Sequence, residues 1–487
     1  MKSPSRLRAL CLVAGCVGVC SVASPAFGAS WTATKYPTIG GSGAPVSSSS
    51  QWPVAVATTT SGVPAVLYRA NNKSIQVITK GSATAAWPSK ATQWLSASAA
   101  NAAPMLGAAV VGSKVAALWT TGSGGGLRAA SGSRTVQSGT VTRRTINPPV
   151  SSVFSSTAGA GHLLVGPVSS GSAWYGISGA TSDGSGARAF GGLMRAGQVP
   201  SNLLPFEANT GQAPIIAVGS DATGNLTGLV RAGNGPTSWA VRPASTSSWS
   251  DLTPLPVQPV SPSQVAVSVA PTGQAALAYV APANADGTLS PTGTSFAVVW
   301  MTRDNINTDW AGPWVVGIEE TTPWNLGVAL GGTGTNESIA VSWLRGPNVQ
   351  HYFTPLTFMV SRTQYPGYPL PAATALLLNP DYDADTVSEF TGTFFAMKMN
   401  PQGVAAILWG TGGNHGGGAQ LVATTSSPTS PWTPLVNVAG GRACSAGYPG
   451  LSLSPYNTGF YAAWMCAETT TPSTPAEANN IGVTQFR

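Results

Sequence analysis

Sixteen carboxylates serve a chain of 487 residues, and one stretch gathers several of them. Asp381-Tyr-Asp383-Ala-Asp385-Thr-Val-Ser-Glu389 sets acidic side chains at alternate positions. A tight loop of this kind offers hard oxygens, as Ca2+ requires. An EF-hand loop carries Gly at its sixth position and Glu at its twelfth. Here those positions are Thr386 and Gly392. The expectation is therefore a simpler Ca2+ loop on Asp381, Asp383 and Asp385, or, more plainly, a solvated acidic loop between two repeats. Tyr382 lies inside this stretch. Just before it, Tyr365-Pro-Gly-Tyr368-Pro-Leu-Pro371 forms a Pro-rich insertion. Exposed Tyr rings stack on flat apolar faces such as those of sugars. Tyr365, Tyr368 and Tyr382 are the candidate ligand-binding residues.

Other reactive groups are sparse. Glu319-Glu320 supplies adjacent carboxylates, and glycosidic cleavage uses a carboxylate pair. Neighbours on a strand point to opposite faces, so these two do not form one pair. A partner would have to come from elsewhere, such as Asp304 or Asp309. His162, His351 and His415 are isolated, with no Cys or carboxylate at zinc-ligand spacing. There is no Gly-x-Ser-x-Gly elbow. Gly412-Gly-Asn-His415-Gly-Gly-Gly418 reads as a hairpin tip, because no helix follows to complete a phosphate cradle. No catalytic residue is assigned.

These groups must be held by strands. A phrase of small and β-branched residues ending in Trp or Tyr recurs along the chain. It reads Pro64-Ala-Val-Leu-Tyr68, Val115-Ala-Ala-Leu-Trp119, Ala275-Ala-Leu-Ala-Tyr279, Ile339-Ala-Val-Ser-Trp343, Ala405-Ala-Ile-Leu-Trp409 and Phe460-Tyr-Ala-Ala-Trp464. Repeats of this length built from short strands indicate a propeller or a similar array. Each unit reads as four strands. The phrase is the second, Gln264–Val269 is an example of the first, and Ser74–Ile78, Ser295–Val299 and Gln420–Ala423 are examples of the third. The fourth begins near a second Trp: Trp87 or Trp94, Trp249, Trp314 and Trp432. Two degenerate units fill the long gap after Trp119, with Leu163–Val165 and Ile215–Val218 as their second strands. Units then start near residues 53, 104, 152, 204, 263, 326, 389 and 449. Helical periodicity is nearly absent; Ala91–Ala103 is the one short candidate.

The last unit ends after its third strand, Ile481–Phe486, and Ser30-Trp31 resembles the fourth-strand phrase Ser248-Trp249. The expected fold is a single all-β propeller of about eight four-stranded blades, or seven. Its N-terminal strand should complete the C-terminal blade, which leaves no long unpaired edge. The recurrent second-strand aromatics are expected to be core. The fourth-strand set, Trp31, Trp249 and Trp432, is divided between core and ligand contact.

Residues 1–29 read as a signal peptide. Lys2, Arg6 and Arg8 precede the apolar stretch Leu10–Val22, and Ala26-Phe27-Gly28 is a small-x-small cleavage site. The alternative is a lipid anchor at Cys16, from Val13-Ala14-Gly15-Cys16. No segment is long enough for a transmembrane helix. Residues 30–487 then form the propeller domain. Two of the five Cys remain there, Cys444 and Cys466, flanking a hairpin, and a disulfide between them is expected in an exported protein. Charged residues make up 8% of the chain, against about 25% in an average domain. The cations do not cluster, which argues against nucleic acid.

The repeat resembles those of secreted bacterial β-propellers, including sialidase-like and lectin-like ones. The sialidase Asp-box, Ser-x-Asp-x-Gly-x-x-Trp, is not matched by Thr181–Gly186 or by Ser220–Gly224. The expected function is secreted binding of a carbohydrate or cell-envelope polymer through loops on one face, by a monomer. Low charge and many aromatics suit a neutral ligand. The alternatives are a glycoside hydrolase or lyase with pore-facing carboxylates, and a structural or protein-interaction scaffold.

Overall fold

The computed structural model describes residues 30–32, 54–70, 74–91, 93–94, 102–121, 127–133, 142–146, 152–153, 163–168, 172–181, 187–195, 216–231, 235–246, 248–261, 264–345, 357–364, 371–377, 395–410, 421–438, 450–465 and 481–487. Among these the protein is all-β, with one short 3-10 turn at Gly334–Asn336. No helix among them is long and apolar enough to cross a membrane.

The described strands form eight antiparallel sheets in chain order. Sheet 1 holds β1 (Val54–Thr58), β2 (Pro64–Arg69), β3 (Ile75–Thr79) and β4 (Gln93–Trp94). Sheet 2 holds β5 (Ala102–Val111), β6 (Lys114–Thr121), β7 (Leu127–Ser133) and β8 (Thr142–Ile146). Sheet 3 holds β9 (Ser152–Val153), β10 (Leu163–Val168), β11 (Ser172–Thr181) and β12 (Ala187–Arg195). Sheet 4 holds β13 (Ile216–Ser220), β14 (Leu226–Arg231), β15 (Thr237–Arg242) and β16 (Thr253–Pro254). Sheet 5 holds β17 (Val265–Val269), β18 (Ala275–Ala283), β19 (Ser295–Arg303) and β20 (Ala311–Glu319). Sheet 6 holds β21 (Trp324–Gly331), β22 (Ser338–Arg345), β23 (Thr357–Gln364) and β24 (Thr374–Leu377). Sheet 7 holds β25 (Phe395–Met399), β26 (Ala405–Gly410), β27 (Leu421–Ser426) and β28 (Val436–Asn437). Sheet 8 has three strands, β29 (Gly450–Tyr456), β30 (Gly459–Met465) and β31 (Ile481–Phe486).

All but sheet 3 are simple meanders, each strand pairing with the next. In sheet 3, β9 and β10 both pair with β11. Two sequence expectations are corrected here. Leu163–Val165 and the described part of Ile215–Val218, from Ile216, belong to first strands, β10 and β13, and the second strands of those units are β11 and β14. The segment Ala91–Ala103 contributes β4 and the start of β5, with no helix among its described residues.

The recurrent phrase is apolar because the second strand is buried on both faces. In β18, Ala276, Ala278 and Val280 pack toward sheet 6, in one cluster with Trp300 and Trp343. Leu277, Tyr279 and Ala281 pack toward sheet 4, with Leu229 and Met301. Period-two alternation assigns the two sets to opposite faces. The terminal aromatics Tyr68, Trp119, Tyr279, Trp343, Trp409 and Trp464 are all buried.

Consecutive sheets share apolar clusters: 1 with 2, 4 with 5, 5 with 6, and 6 with 7. β5 also packs on β10, β10 on β13, and β25 on β29. The last sheet packs on the first: Val56, Val66, Tyr68 and Ile78 share a core with Tyr456, Tyr461, Ala463 and Val483. One polar contact recurs across two of these junctions. Val56 N donates to Ser452 Oγ at 3.0 Å, and Leu330 N donates to Ser268 Oγ at 3.0 Å. Each joins the first strand of a sheet to that of the sheet before it, and the junction of sheets 8 and 1 copies that of sheets 5 and 6.

Turns between first and second strands are tight. Asp221 Oδ1 accepts from Thr223 N and Asn225 N, and Asn400 Oδ1 accepts from Gln402 N and Val404 N. A short polar side chain thus closes its own turn. At Gly403 (φ +77°) an added Cβ would meet Asn336 O at 2.3 Å, so only glycine serves where this turn meets sheet 6.

The N-terminal segment reaches sheet 8. Trp31 bridges Phe486 in antiparallel fashion, with ring centroids 5.5 Å apart. Thr32 N donates to Gln485 O (2.8 Å), and Thr484 Oγ1 donates to Thr32 O (2.6 Å).

Candidate binding clefts between sheets

The candidate carboxylates do not converge. β20 runs antiparallel to β19, with Glu319 opposite Phe296 at one end and Ala311 opposite Thr302 at the other. Asp304 and Asp309 sit in the exposed turn at that second end. The nine-residue strand spans roughly 28 Å at about 3.3 Å per residue, too far for one catalytic pair. Glu319, the last residue of β20, is 4% exposed, while Glu320, in the bend that follows, is exposed. The Glu319 carboxylate is occupied: it accepts from Trp343 Nε1 (2.8 Å), Arg345 Nε (2.6 Å) and Arg345 Nη2 (3.2 Å). It anchors the end of β22 and leaves no oxygen free for general acid or base work.

Tyr365, Tyr368, Tyr382, Asp381, Asp383, Asp385, Cys444 and Cys466 lie outside the described residues, as do Cys16 and the three His. Tyr365 and Tyr368 fall between β23 and β24, whereas Asp381, Tyr382, Asp383 and Asp385 follow β24. The two segments are attached to opposite ends of that strand. The hairpin expected between Cys444 and Cys466 is formed by β29 and β30.

A different constellation emerges at the end of the third strands. In sheets 1, 4 and 5 a cation closes or follows that strand, and a Trp stands seven residues later: Lys80 and Trp87, Arg242 and Trp249, Arg303 and Trp310. Each cation faces the preceding sheet. Arg303 is the most enclosed, at 3% exposure. Its guanidinium lies 4.9 Å from the Trp310 ring centroid and 5.7 Å from that of Trp239 on β15. The two indoles meet edge-on at 6.1 Å. Arg303 Nη2 donates to Thr227 Oγ1 on β14. Burial draws the Arg303 pKa down to about 10, while the Asp221 carboxylate pulls it back up.

The other two units repeat this plan. Lys80 Nζ lies 5.8 Å from the Trp87 ring, and Trp87 packs against the cluster shared with sheet 8. Burial, and then the charge of Arg487, lower the Lys80 pKa. The Arg242 pKa is lowered by burial and raised by Tyr175 of sheet 3, and Trp249 packs on Val218, Val230 and Ala240 of the same sheet. All three Trp remain partly exposed. The Lys80 and Arg303 seams therefore pair an indole face with a cation between two sheets, and the Arg242 seam carries the same two residue types at the same spacing. Sugars are bound by such pairs, the ring stacking on apolar C–H groups and the N–H donors reaching hydroxyls or acids.

Comparison with known proteins adds the following. No family model matches the chain, and no curated protein matches it. Among solved structures, the chain is similar to the BP39L lectin from Burkholderia pseudomallei, at TM-score 0.49 and 13% identity, covering 80% of this chain and 99% of that one. It is also similar to a polysaccharide lyase, an ulvan lyase, at TM-score 0.45 and 10% identity, covering 89% and 93%. A fucose-specific lectin from Aleuria aurantia aligns at TM-score 0.38 and 11% identity, covering 82% and 99%.

Proposed function

We propose that the chain is an exported eight-bladed β-propeller that binds glycans in clefts between its blades. Two observations support the closed ring: sheets 8 and 1 share a core, and their serine contact matches that of sheets 5 and 6. The N-terminal strand then completes the last blade beside β31. The observation that carries the function is the Lys/Arg-x6-Trp unit, repeated in three sheets with the cation turned to the preceding sheet each time. A core-packing role alone does not require a cation beside a half-exposed indole at the same position in separate blades.

The test is a glycan array, followed by titration of the best ligand against the full mature chain. Saturable binding is expected, and Trp310→Ala and Trp249→Ala should each weaken it about tenfold, the loss of about 1.4 kcal/mol that one stacking face supplies. An array and envelope preparations that show no saturable binding overturn this reading.

A further inference from the structure

Resting on that glycan-binding reading, we infer that the Arg303 and Arg242 clefts each take the acidic group, a carboxylate or sulfate, of an anionic sugar. The basis is a contrast among buried guanidinium groups of one molecule. Arg362, near the end of β23, has acceptors for both terminal nitrogens. Its Nη1 donates to Ser426 O and Oγ, and its Nη2 to Ser338 Oγ (2.8 Å) and Gly403 O. It staples sheet 6 to sheet 7. Arg303 has one acceptor, Thr227 Oγ1, and its Nε and Nη1 are buried without a partner. Arg242, 8% exposed, has the same two nitrogens buried without a partner.

The Asp221 carboxylate, which acts on Arg303 electrostatically, does not fill the gap. Asp221 Oδ1 is taken by Thr223 N, Thr223 Oγ1 and Asn225 N, and its Oδ2 by Asn225 Nδ2. It closes its own turn and influences Arg303 only through space. The Trp310 indole Nε1 is a further buried donor without an acceptor. The cleft thus holds three free donors, two on a full positive charge, with no acceptor among them. A neutral hydroxyl both donates and accepts, whereas a carboxylate or sulfate only accepts and brings the missing charge. Burying a cation is costly unless an anion joins it, and the ligand offsets that cost. The Lys80 cleft differs, because Lys80 Nζ already donates to Ala83 O at 2.8 Å. It is closed by its own turn, and the inference assigns it no acidic group. Trp310, partly exposed, stands between the Arg303 guanidinium and the exposed turn 304–309.

The test titrates the full mature chain with three probes: an oligogalacturonate, its methyl ester, and inorganic sulfate. The oligogalacturonate is expected to bind at least tenfold more tightly than the ester. Arg303→Gln and Arg242→Gln should each remove most of that preference, while Lys114→Gln, at an exposed position outside these seams, should leave it intact. Thermal melts of each variant separate lost binding from lost folding. If an Arg variant does not fold, Trp310→Phe, which keeps the ring and deletes the N–H, is expected to cut the preference severalfold. Equal binding of acid and ester, with glycan binding retained, overturns this inference and leaves the glycan-binding reading standing. Loss of all glycan binding in the parent chain overturns both. Sulfate binding as tight as that of the oligosaccharide overturns the assignment to a sugar-borne acid.

Discussion

Replacing Trp343 by alanine is expected to cost about 4–5 kcal/mol of unfolding free energy. The indole is fully buried at the seam of sheets 5 and 6, in one cluster with Trp300, Val298, Val328 and Val341. Its ring lies so close to Gly317 that a Cβ there would meet it at 2.5 Å. Truncating such a ring in a tightly packed core costs about 3–5 kcal/mol in lost transfer energy and cavity. A second loss adds to the first. Trp343 Nε1 donates to Glu319 Oε1, and without it the buried carboxylate keeps only the half-exposed Arg345 as a partner. That adds about 1 kcal/mol. Trp343→Phe separates the contributions, since it fills most of the volume and lacks the donor; about 1–2 kcal/mol is expected from the lost hydrogen bond and the smaller ring. Urea unfolding of both variants measures the difference. A loss below about 1 kcal/mol for the alanine variant would mean that the indole does not fill this seam.

Removing the chain through Thr32 is expected to cost about 2–3 kcal/mol, from a buried ring contact and the net worth of the lost hydrogen bonds. Trp31 would no longer cover Phe486, and the bonds from Thr32 N to Gln485 O, from Thr484 Oγ1 to Thr32 O and from Gln485 N to Thr32 Oγ1 would be lost. β31 would become an open edge, and open edges recruit other chains. The truncated protein should therefore show faster amide exchange along β31, and association that rises with concentration. Unchanged stability and exchange would show that the N-terminal segment does not complete sheet 8.

Most of the architecture was legible in the sequence, because a strand buried on both faces must be continuously apolar. β2, β6, β18, β22, β26 and β30 all announced themselves in this way. The third and fourth units misled for a related reason. Their first strands, β10 and β13, carry the apolar runs Leu163–Val165 and Ile216–Val218, while β11 and β14 are diluted by Gly and Thr. Within β13 itself Gly219 faces sheet 5, where an added Cβ would meet Val269 Cγ2 at 2.6 Å. Glu319 and Glu320 are separated as expected, one buried and one exposed, but by the end of β20 between them and not by alternation within a strand.

The clefts were visible only at the level of the repeat. Lys80, Arg242 and Arg303 are isolated in sequence and read singly as solvated charges. The constant interval to Trp87, Trp249 and Trp310 is the signal that joins them. Burial of the two arginines could not be read at all, because it depends on which face of the third strand meets the preceding sheet. Tyr365, Tyr368, Tyr382, Asp381, Asp383 and Asp385 lie outside the described residues.

The most direct test of the closed ring is a cysteine pair at Thr58 and Ser454. Their hydroxyls are 2.9 Å apart although the residues are separated by 396 positions. In the Thr58→Cys/Ser454→Cys variant, mild oxidation should form an intramolecular disulfide in nearly every molecule, found by peptide mapping. The folded variant should also show the faster non-reducing gel mobility of a chain tied near both ends. Two thiols that stay free in a natively folded chain would contradict the ring.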